Sequence, residues 1–182
     1  SLILGGDVGV HAPLRSFFIR SASPVDFGGT IRASAGGSVV IDSVFRLTAD
    51  TFIEGGDVVL GRRVEAVTDG INLTLHAFGD AFISELAAEA GRLDTLNVAA
   101  AGAISLLRSI RTTGSQTYAG DAMLFGTLYE SLTGGIDFGS DVELARDTIV
   151  RAGDVRFGGR IDSSLLATDP DSHARRGTLT LN

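Results

Sequence analysis

The chain has 182 residues, of which 24 are glycine and three are proline, with no cysteine and a formal net charge of −7. All 15 basic residues are arginines, and they are scattered, whereas nucleic acids and anionic membranes are bound through clustered positive charge. No run approaches the roughly 20 apolar residues of a membrane-spanning helix, and a hydrophobic fraction of 44% argues against disorder. We therefore expect a folded protein that neither binds nucleic acid nor inserts into a membrane.

Short stretches of alternating apolar residues, separated by glycine, recur from the beginning of the chain to its end. One polar residue separates Ile136 from Phe138, and likewise Val142 from Leu144, which is typical of half-buried β-strands. Strands of three to five residues cannot bury their own apolar face, so we predict an all-β solenoid in which coils stack on one another. Glycine pairs predict the corners, at Gly5-Gly6, Gly28-Gly29, Gly36-Gly37, Gly55-Gly56, Gly134-Gly135 and Gly158-Gly159.

The coil length follows from the spacing of matching strands. The interval from Val39 to Val58 equals the interval from Ile136 to Val155 (58 − 39 = 155 − 136 = 19). This interval predicts roughly nine coils of about 19–20 residues. Residues 1–182 are therefore interpreted as one β-solenoid segment.

A longer internal repeat is superimposed on the coils. Asp50 and Val58 match Asp147 and Val155 at a constant shift (147 − 50 = 155 − 58 = 97). A second set of positions matches at a shorter shift (93 − 14 = 110 − 31 = 79), and it pairs Leu14, Phe17, Ile19, Val25, Phe27 and Ile31 with Leu93, Leu96, Val98, Ile104, Leu106 and Ile110. The pattern predicts two modules, at about residues 1–72 and 73–182.

Three segments depart from the coil pattern. Residues 112–133 have no counterpart in the first module, which predicts an extra coil in the second. Residues 83–92 are rich in alanine and glutamate and predict at most a short helical bulge, because ten residues make a marginal helix. Residues 165–176 contain Thr-Asp-Pro-Asp-Ser-His and predict a polar loop that projects from the rod.

Four motifs carry a resemblance to a known family. They are Thr-Gly-Ser-Gln-Thr-Tyr-Ala-Gly at 113–120, Gly-Gly-Ile-Asp-Phe at 134–138, Gly-Asp-Val-Arg-Phe-Gly-Gly-Arg-Ile-Asp at 153–162 and Gly-Thr-Leu-Thr-Leu-Asn at 177–182. They resemble the repeats of filamentous-haemagglutinin-type secreted bacterial surface proteins. The resemblance implies a right-handed parallel β-helix, export to the bacterial cell surface, and a role as an adhesin stalk or extracellular fibre.

Carboxylates supply the only candidate chemistry, and a structural role explains them better. Polysaccharide lyases and hydrolases on β-helices need several aspartates around calcium or a pair of carboxylates. Most aspartates here sit at turns, where the side chain accepts backbone hydrogen bonds, and the nine-residue calcium repeat is absent. We therefore predict no catalytic residue, no cofactor and no metal site. The aspartates that could converge are Asp137, Asp141, Asp147, Asp154 and Asp162.

The two ends of the chain share a Leu-x-Leu pattern without an evident cap, at Leu2 and Leu4 and at Leu179 and Leu181. These residues predict an end-to-end interface, so the chain would continue into further repeats or self-associate into a filament. We expect a non-enzymatic extracellular structural or adhesive rod, with a host or matrix glycan or protein as partner. The alternative is a carbohydrate-binding or polysaccharide-degrading β-helix, with a cleft lined by Asp and Arg between segments 83–92 and 165–176.

Overall fold

The computed structural model describes residues 1–86, 92–163 and 177–182. Within these residues the protein consists of 18 β-strands and has no helix, so no described segment is a helix long and apolar enough to cross a membrane. The strands are β1 Leu2–Leu4, β2 Phe17–Arg20, β3 Val25–Arg32, β4 Val39–Asp42, β5 Phe45–Gly55, β6 Val58–Ala66, β7 Ile71–Ala77, β8 Ala81–Leu86, β9 Leu93–Leu106, β10 Ile110–Thr112, β11 Gln116–Leu124, β12 Leu128–Ser131, β13 Gly135–Phe138, β14 Val142–Leu144, β15 Thr148–Arg151, β16 Asp154–Phe157, β17 Ile161–Ser163 and β18 Leu179–Leu181.

The paired strands are parallel, and they form three stacks along the molecule. The first stack contains Leu2, Val25, Phe45, Val64 and Leu86, and it continues through Ile110, Tyr129, Val150 and Leu181. The second contains Val8, Ile31, Ile53, Leu75, Val98, Tyr118, Phe138 and Phe157. The third contains Phe17, Val39, Val58, Ala81, Ile104, Ala122, Val142 and Ile161.

Each circuit of the chain visits the three stacks in order, which confirms the predicted all-β solenoid. Stacked strands are about 21 residues apart, and the solenoid has about seven turns. The coils are thus slightly longer, and fewer, than the sequence spacing predicts. The difference arises because several coils contain more residues than the coil from Val39 to Val58. Examples are the coils from Ile31 to Ile53 (53 − 31 = 22) and from Leu75 to Val98 (98 − 75 = 23).

The core lies between the three stacks and follows the period-2 pattern of the sequence. In β4, Val39 and Ile41 are fully buried, while Val40 and Asp42, which point outward, are half-buried. Large aromatic side chains also stack from coil to coil. The ring of Phe138 lies 5.0 Å from that of Tyr118 and 5.2 Å from that of Phe157, with interplanar angles of 14° and 9°. Burial of such side chains contributes about 1.5–3 kcal/mol each, and it is the main stabilising term of the rod.

The corners explain the recurring Gly-Asp pair. Oδ1 of Asp57 accepts a hydrogen bond from the backbone N–H of Asp80 on the next coil, at 3.0 Å, and Oδ1 of Asp80 accepts one from Ala103, at 2.8 Å. Glycine must precede each bonded N–H, because a Cβ at Gly79 or Gly102 would overlap the carboxylate oxygen beneath it. The aspartates therefore join consecutive coils.

The long internal repeat relates different stacks of the solenoid. The longer of the two sequence shifts carries Val39, in the third stack, onto Ile136, in a strand of the second. The shorter shift likewise carries Phe17, in the third stack, onto Leu96, in a strand of the second. All three stacks have the same alternation of inward and outward residues, so similar sequences can occupy neighbouring stacks. The division into modules remains a prediction from the sequence.

The three segments that depart from the coil pattern compare differently with their predictions. Residues 112–133 supply Gln116, Ala122 and Tyr129 to strands of the three stacks, so this segment forms a coil as expected. In segment 83–92, residues 83–86 belong to strand β8, so at least this part is extended instead of helical. Residues 87–91 and the predicted loop 165–176 lie outside the described residues.

Candidate functional site

The four predicted end residues lie in the outermost strands of the first stack. Leu2 and Leu4 in β1 pair with Val25 and Phe27, and Leu179 and Leu181 in β18 pair with residues of β15. Leu2 is 44% exposed and Leu181 is 55% exposed, whereas the residues stacked beneath them, Val25 and Val150, are fully buried. Leu2 and Leu181 thus lie at opposite ends of one stack, and the interface between them stays a prediction.

The other two stacks also end on apolar residues, which the sequence analysis did not assign to the ends. Beside Leu2, the N-terminal end presents Val8 and Phe17. Beside Leu181, the C-terminal end presents Phe157 and Ile161. All three stacks thus end on apolar residues at both ends of the solenoid. At the C-terminal end the first stack extends one strand further, since it has nine members and the other two have eight each. The period-2 pattern of the sequence includes these residues, but only the pairing of the strands shows to which stack each of them belongs.

Ion pairs connect neighbouring coils along the outer surface. Arg20 and Arg62 donate through Nε to the two oxygens of Asp42, each at 3.0 Å. The hydrogen bond from Arg62 is the main reason that the pKa of Asp42 lies below its ordinary value. Similarly, Arg46 donates hydrogen bonds to both carboxylate oxygens of Asp26, at 2.6 and 2.8 Å, and these bonds lower the pKa of Asp26. These pairs span about one coil each and strengthen the connection between coils.

A second row of charge lies on the continuation of the first stack. The side chain of Glu130 is 11% exposed, and its carboxylate lies 3.3 Å from Arg111 and 3.1 Å from Arg151, on the coils on either side. Two guanidinium groups therefore share one carboxylate, and the row links three consecutive coils.

The five aspartates considered for catalysis or calcium binding lie on two neighbouring coils. Asp141 accepts a hydrogen bond from the N–H of Arg160, and Asp147 accepts one from the N–H of Thr178. Asp162 pairs with Arg160, while Asp137 lies in β13 and Asp154 in β16, on neighbouring coils. In the part of the chain that the structure describes, no three His, Cys, Asp or Glu side chains group so as to hold a metal ion.

A lateral cleft of about 390 Å³ opens where the first stack is interrupted. Strand β8 ends at Leu86, and β10, which begins at Ile110, belongs to a separate sheet of the strands β10, β12, β15 and β18. Because these two strands are not paired with each other, the side chains around the gap form a depression. Its charged lining residues are Arg63, Glu85, Arg108, Arg111 and Arg146.

Described residues next to both predicted insertions lie at or near the cleft. Leu86, in its wall, is the last described residue before residue 87, and a Cβ at Gly177 would lie 2.7 Å from the carbonyl oxygen of Arg146. The alternative hypothesis placed a cleft between these segments and lined it with Asp and Arg. The lining found is arginine and glutamate, together with hydroxyl and apolar groups.

Fold and surface together define a β-solenoid with apolar residues at both ends. A scan of protein-family models gives no match to the chain, and no curated protein and no solved structure is significantly similar to it.

Proposed function

We propose that the chain is a non-enzymatic extracellular rod, as a segment of a bacterial surface protein or as the subunit of an extracellular filament. The observation that carries the proposal is that all three stacks end on apolar residues at both ends of the solenoid. A second copy that stacks its Leu2 on Leu181 would bring its Val8 and Phe17 over Phe157 and Ile161, at one strand more distance because the first stack is one strand longer.

Addition of a further coil would bury the apolar side chains of the ends and pair the backbone groups of the edge strands. Edge strands offer unpaired N–H and C=O groups to another strand, and in repeat proteins each unit gains stability from its neighbours. The mechanism of such a rod is geometric, because each coil transmits force to the next through parallel backbone hydrogen bonds. The Asp42 and Glu130 ion pairs and the Tyr118–Phe138–Phe157 rings add side-chain links along the same direction.

The extracellular location and the adhesive role rest on the resemblance of the motifs to filamentous-haemagglutinin-type repeats. In that setting the rod displays its lateral surface to glycans or proteins of a host or matrix. The net charge of −7 supports this use, since an acidic surface keeps a rod with apolar ends dispersed laterally.

Electron microscopy and sedimentation of the purified chain over a wide concentration range test the proposal. We expect end-to-end association that Leu2→Glu or Leu181→Glu abolishes, because a charge would be buried in the new interface. Ile3→Glu and Thr180→Glu are matched controls, since these outward residues of the same strands would keep their charge in water. Filaments that survive Leu2→Glu and Leu181→Glu would contradict the proposed interface.

A further inference from the structure

The lateral cleft gathers several cations around one cavity on a protein that is acidic as a whole. Among the lining residues that the structure describes, four are arginines, Arg63, Arg108, Arg111 and Arg146, and one, Glu85, has a carboxylate. These arginines belong to three different coils, and they come together because the first stack is interrupted there.

Two of the four arginines are engaged by buried carboxylates outside the cleft. Arg63 pairs with Glu65, and Arg111 lies 3.3 Å from Glu130, which it shares with Arg151. Such pairs hold the arginine side chains in place, but they also cancel much of the positive charge. The anion-binding capacity of the cleft therefore depends on its other two arginines.

Arg108 and Arg146 are those two residues. The side chain of Arg108 is 70% exposed and lies 3.7 Å from Glu85, beyond the range of a good hydrogen bond. Arg146 is exposed and forms no ion pair with any carboxylate in the described residues. Its neighbour Asp147 is oriented by the N–H of Thr178. Both guanidinium groups are thus open to an anion, and their forked N–H donors suit carboxylate or sulfate.

The remaining lining matches a sugar ring better than it matches a free ion. Ser109 and Thr127 have hydroxyl groups 3.3 Å apart at the cleft, and Ser109 Oγ is held by the N–H of Leu128 at 3.1 Å. Leu107 and Phe125 add half-buried apolar surface. The volume is at the lower end of the range for small-molecule sites, and it is several times larger than a sulfate ion needs.

We propose that this cleft binds an acidic saccharide unit, with its carboxylate or sulfate group between Arg108 and Arg146. The hydroxyl groups would bond the sugar, and Phe125 and Leu107 would contact its C–H face. Nucleic acid is a poor fit, because a net charge of −7 would repel a long polyanion whereas a short acidic saccharide engages only the cleft. The inference goes beyond the rod function and does not depend on end-to-end assembly.

Calorimetric titration with three tetrasaccharides tests the proposal: a sulfated heparin fragment, a tetragalacturonate and neutral maltotetraose. We expect at least one acidic tetrasaccharide to bind and maltotetraose not to bind. The double variant Arg108→Gln/Arg146→Gln should lower the affinity for the acidic tetrasaccharide by about tenfold or more, since two charge-assisted contacts are lost. Glu85→Gln should raise the affinity for the acidic tetrasaccharide, because it removes a carboxylate that repels the ligand.

The matched control is Arg20→Gln/Arg160→Gln, which removes the same charge at side chains that are 88% and 78% exposed elsewhere on the rod. It should change the affinity by less than about twofold, and thermal unfolding should show that all variants remain folded. Equal weakening by both double variants, or no binding of either acidic ligand, would overturn the proposal. Inorganic sulfate that binds as tightly as the tetrasaccharides would also overturn it, because the cleft would then be a simple anion site.

Discussion

The carboxylate of Asp80 accepts a hydrogen bond from the backbone N–H of Ala103, 2.8 Å away on the following coil. Asp80 is itself bonded through its own N–H to Asp57 on the preceding coil. The same contact recurs between Asp7 and Thr30. Aspartate at these corners thus joins one coil to the next, and the glycine before each bonded N–H makes the close approach possible.

Gly102→Ala should destabilise the protein by about 1–3 kcal/mol. The new Cβ would overlap Asp80 Oδ1 and lie 3.1 Å from the carbonyl oxygen of Gly79, so the carboxylate must leave its hydrogen bond. Denaturant unfolding followed by circular dichroism measures the change. Gly36→Ala is the control, because nothing lies within 4 Å of the position that its methyl group would take and the site is exposed. Equal unfolding midpoints for the two variants would refute the corner argument.

A buried polar network should depend on the hydroxyl of Tyr118. This hydroxyl donates to Oε1 of Gln116 at 2.9 Å, while Nε2 of Gln116 donates to the carbonyl oxygen of Glu130 at 2.8 Å. Tyr118→Phe would leave the buried Oε1 atom without its donor, at a cost of about 1–3 kcal/mol. The same substitution in a Gln116→Leu background should cost less, since the acceptor is then absent. A double-mutant cycle of unfolding free energies without coupling would contradict the network.

The rod should lose stability in acid through identified carboxylates. The pKa of Asp50 is lowered chiefly by the backbone N–H of Asn72, which donates to its Oδ1 at 2.9 Å. A carboxyl whose pKa is lower in the folded state stabilises above its unfolded pKa, about 3.9, and this contribution is lost as the pH falls through the folded value. We therefore expect the denaturant midpoint to fall below about pH 4.

Asp50→Asn isolates this contribution. Asparagine can still accept the hydrogen bond, but it does not titrate, so the variant should lose less stability than the wild type between about pH 5 and pH 2. The measurement is a series of unfolding curves at fixed ionic strength. A variant that loses as much stability as the wild type would show that Asp50 does not contribute.

Much of the fold could be predicted from the sequence because each element is short and self-similar. The alternation at Ile136 and Phe138 predicts a strand with one buried face, and that is what β13 forms. The turn interpretation of Gly-Asp is confirmed at Asp57 and Asp80. The number of coils was overestimated, because it was extrapolated from two short spacings, whereas other coils, such as the one from Leu75 to Val98, are longer.

The candidate sites were predictable only in part. The Leu-x-Leu pattern indicated Leu2 and Leu181, but the roles of Phe157 and Ile161 require the pairing of coils. The cleft was harder still. It depends on the break between β8 and β10 and on arginines that are about two coils apart in sequence, such as Arg108 and Arg146. Side chains with such separations are brought together by coil stacking, and no local motif marks them.

The central claim is that the apolar ends of the solenoid associate end to end. The direct test is solution X-ray scattering and thermal unfolding of a tandem chain, in which two copies are joined by a flexible linker of about 15 residues. Seven turns at about 4.8 Å give a rod of about 34 Å, so the tandem chain should be one rod of about twice that length. It should unfold in one transition at a higher temperature than a single copy. Two independently oriented units that melt at the temperature of a single copy would contradict the claim.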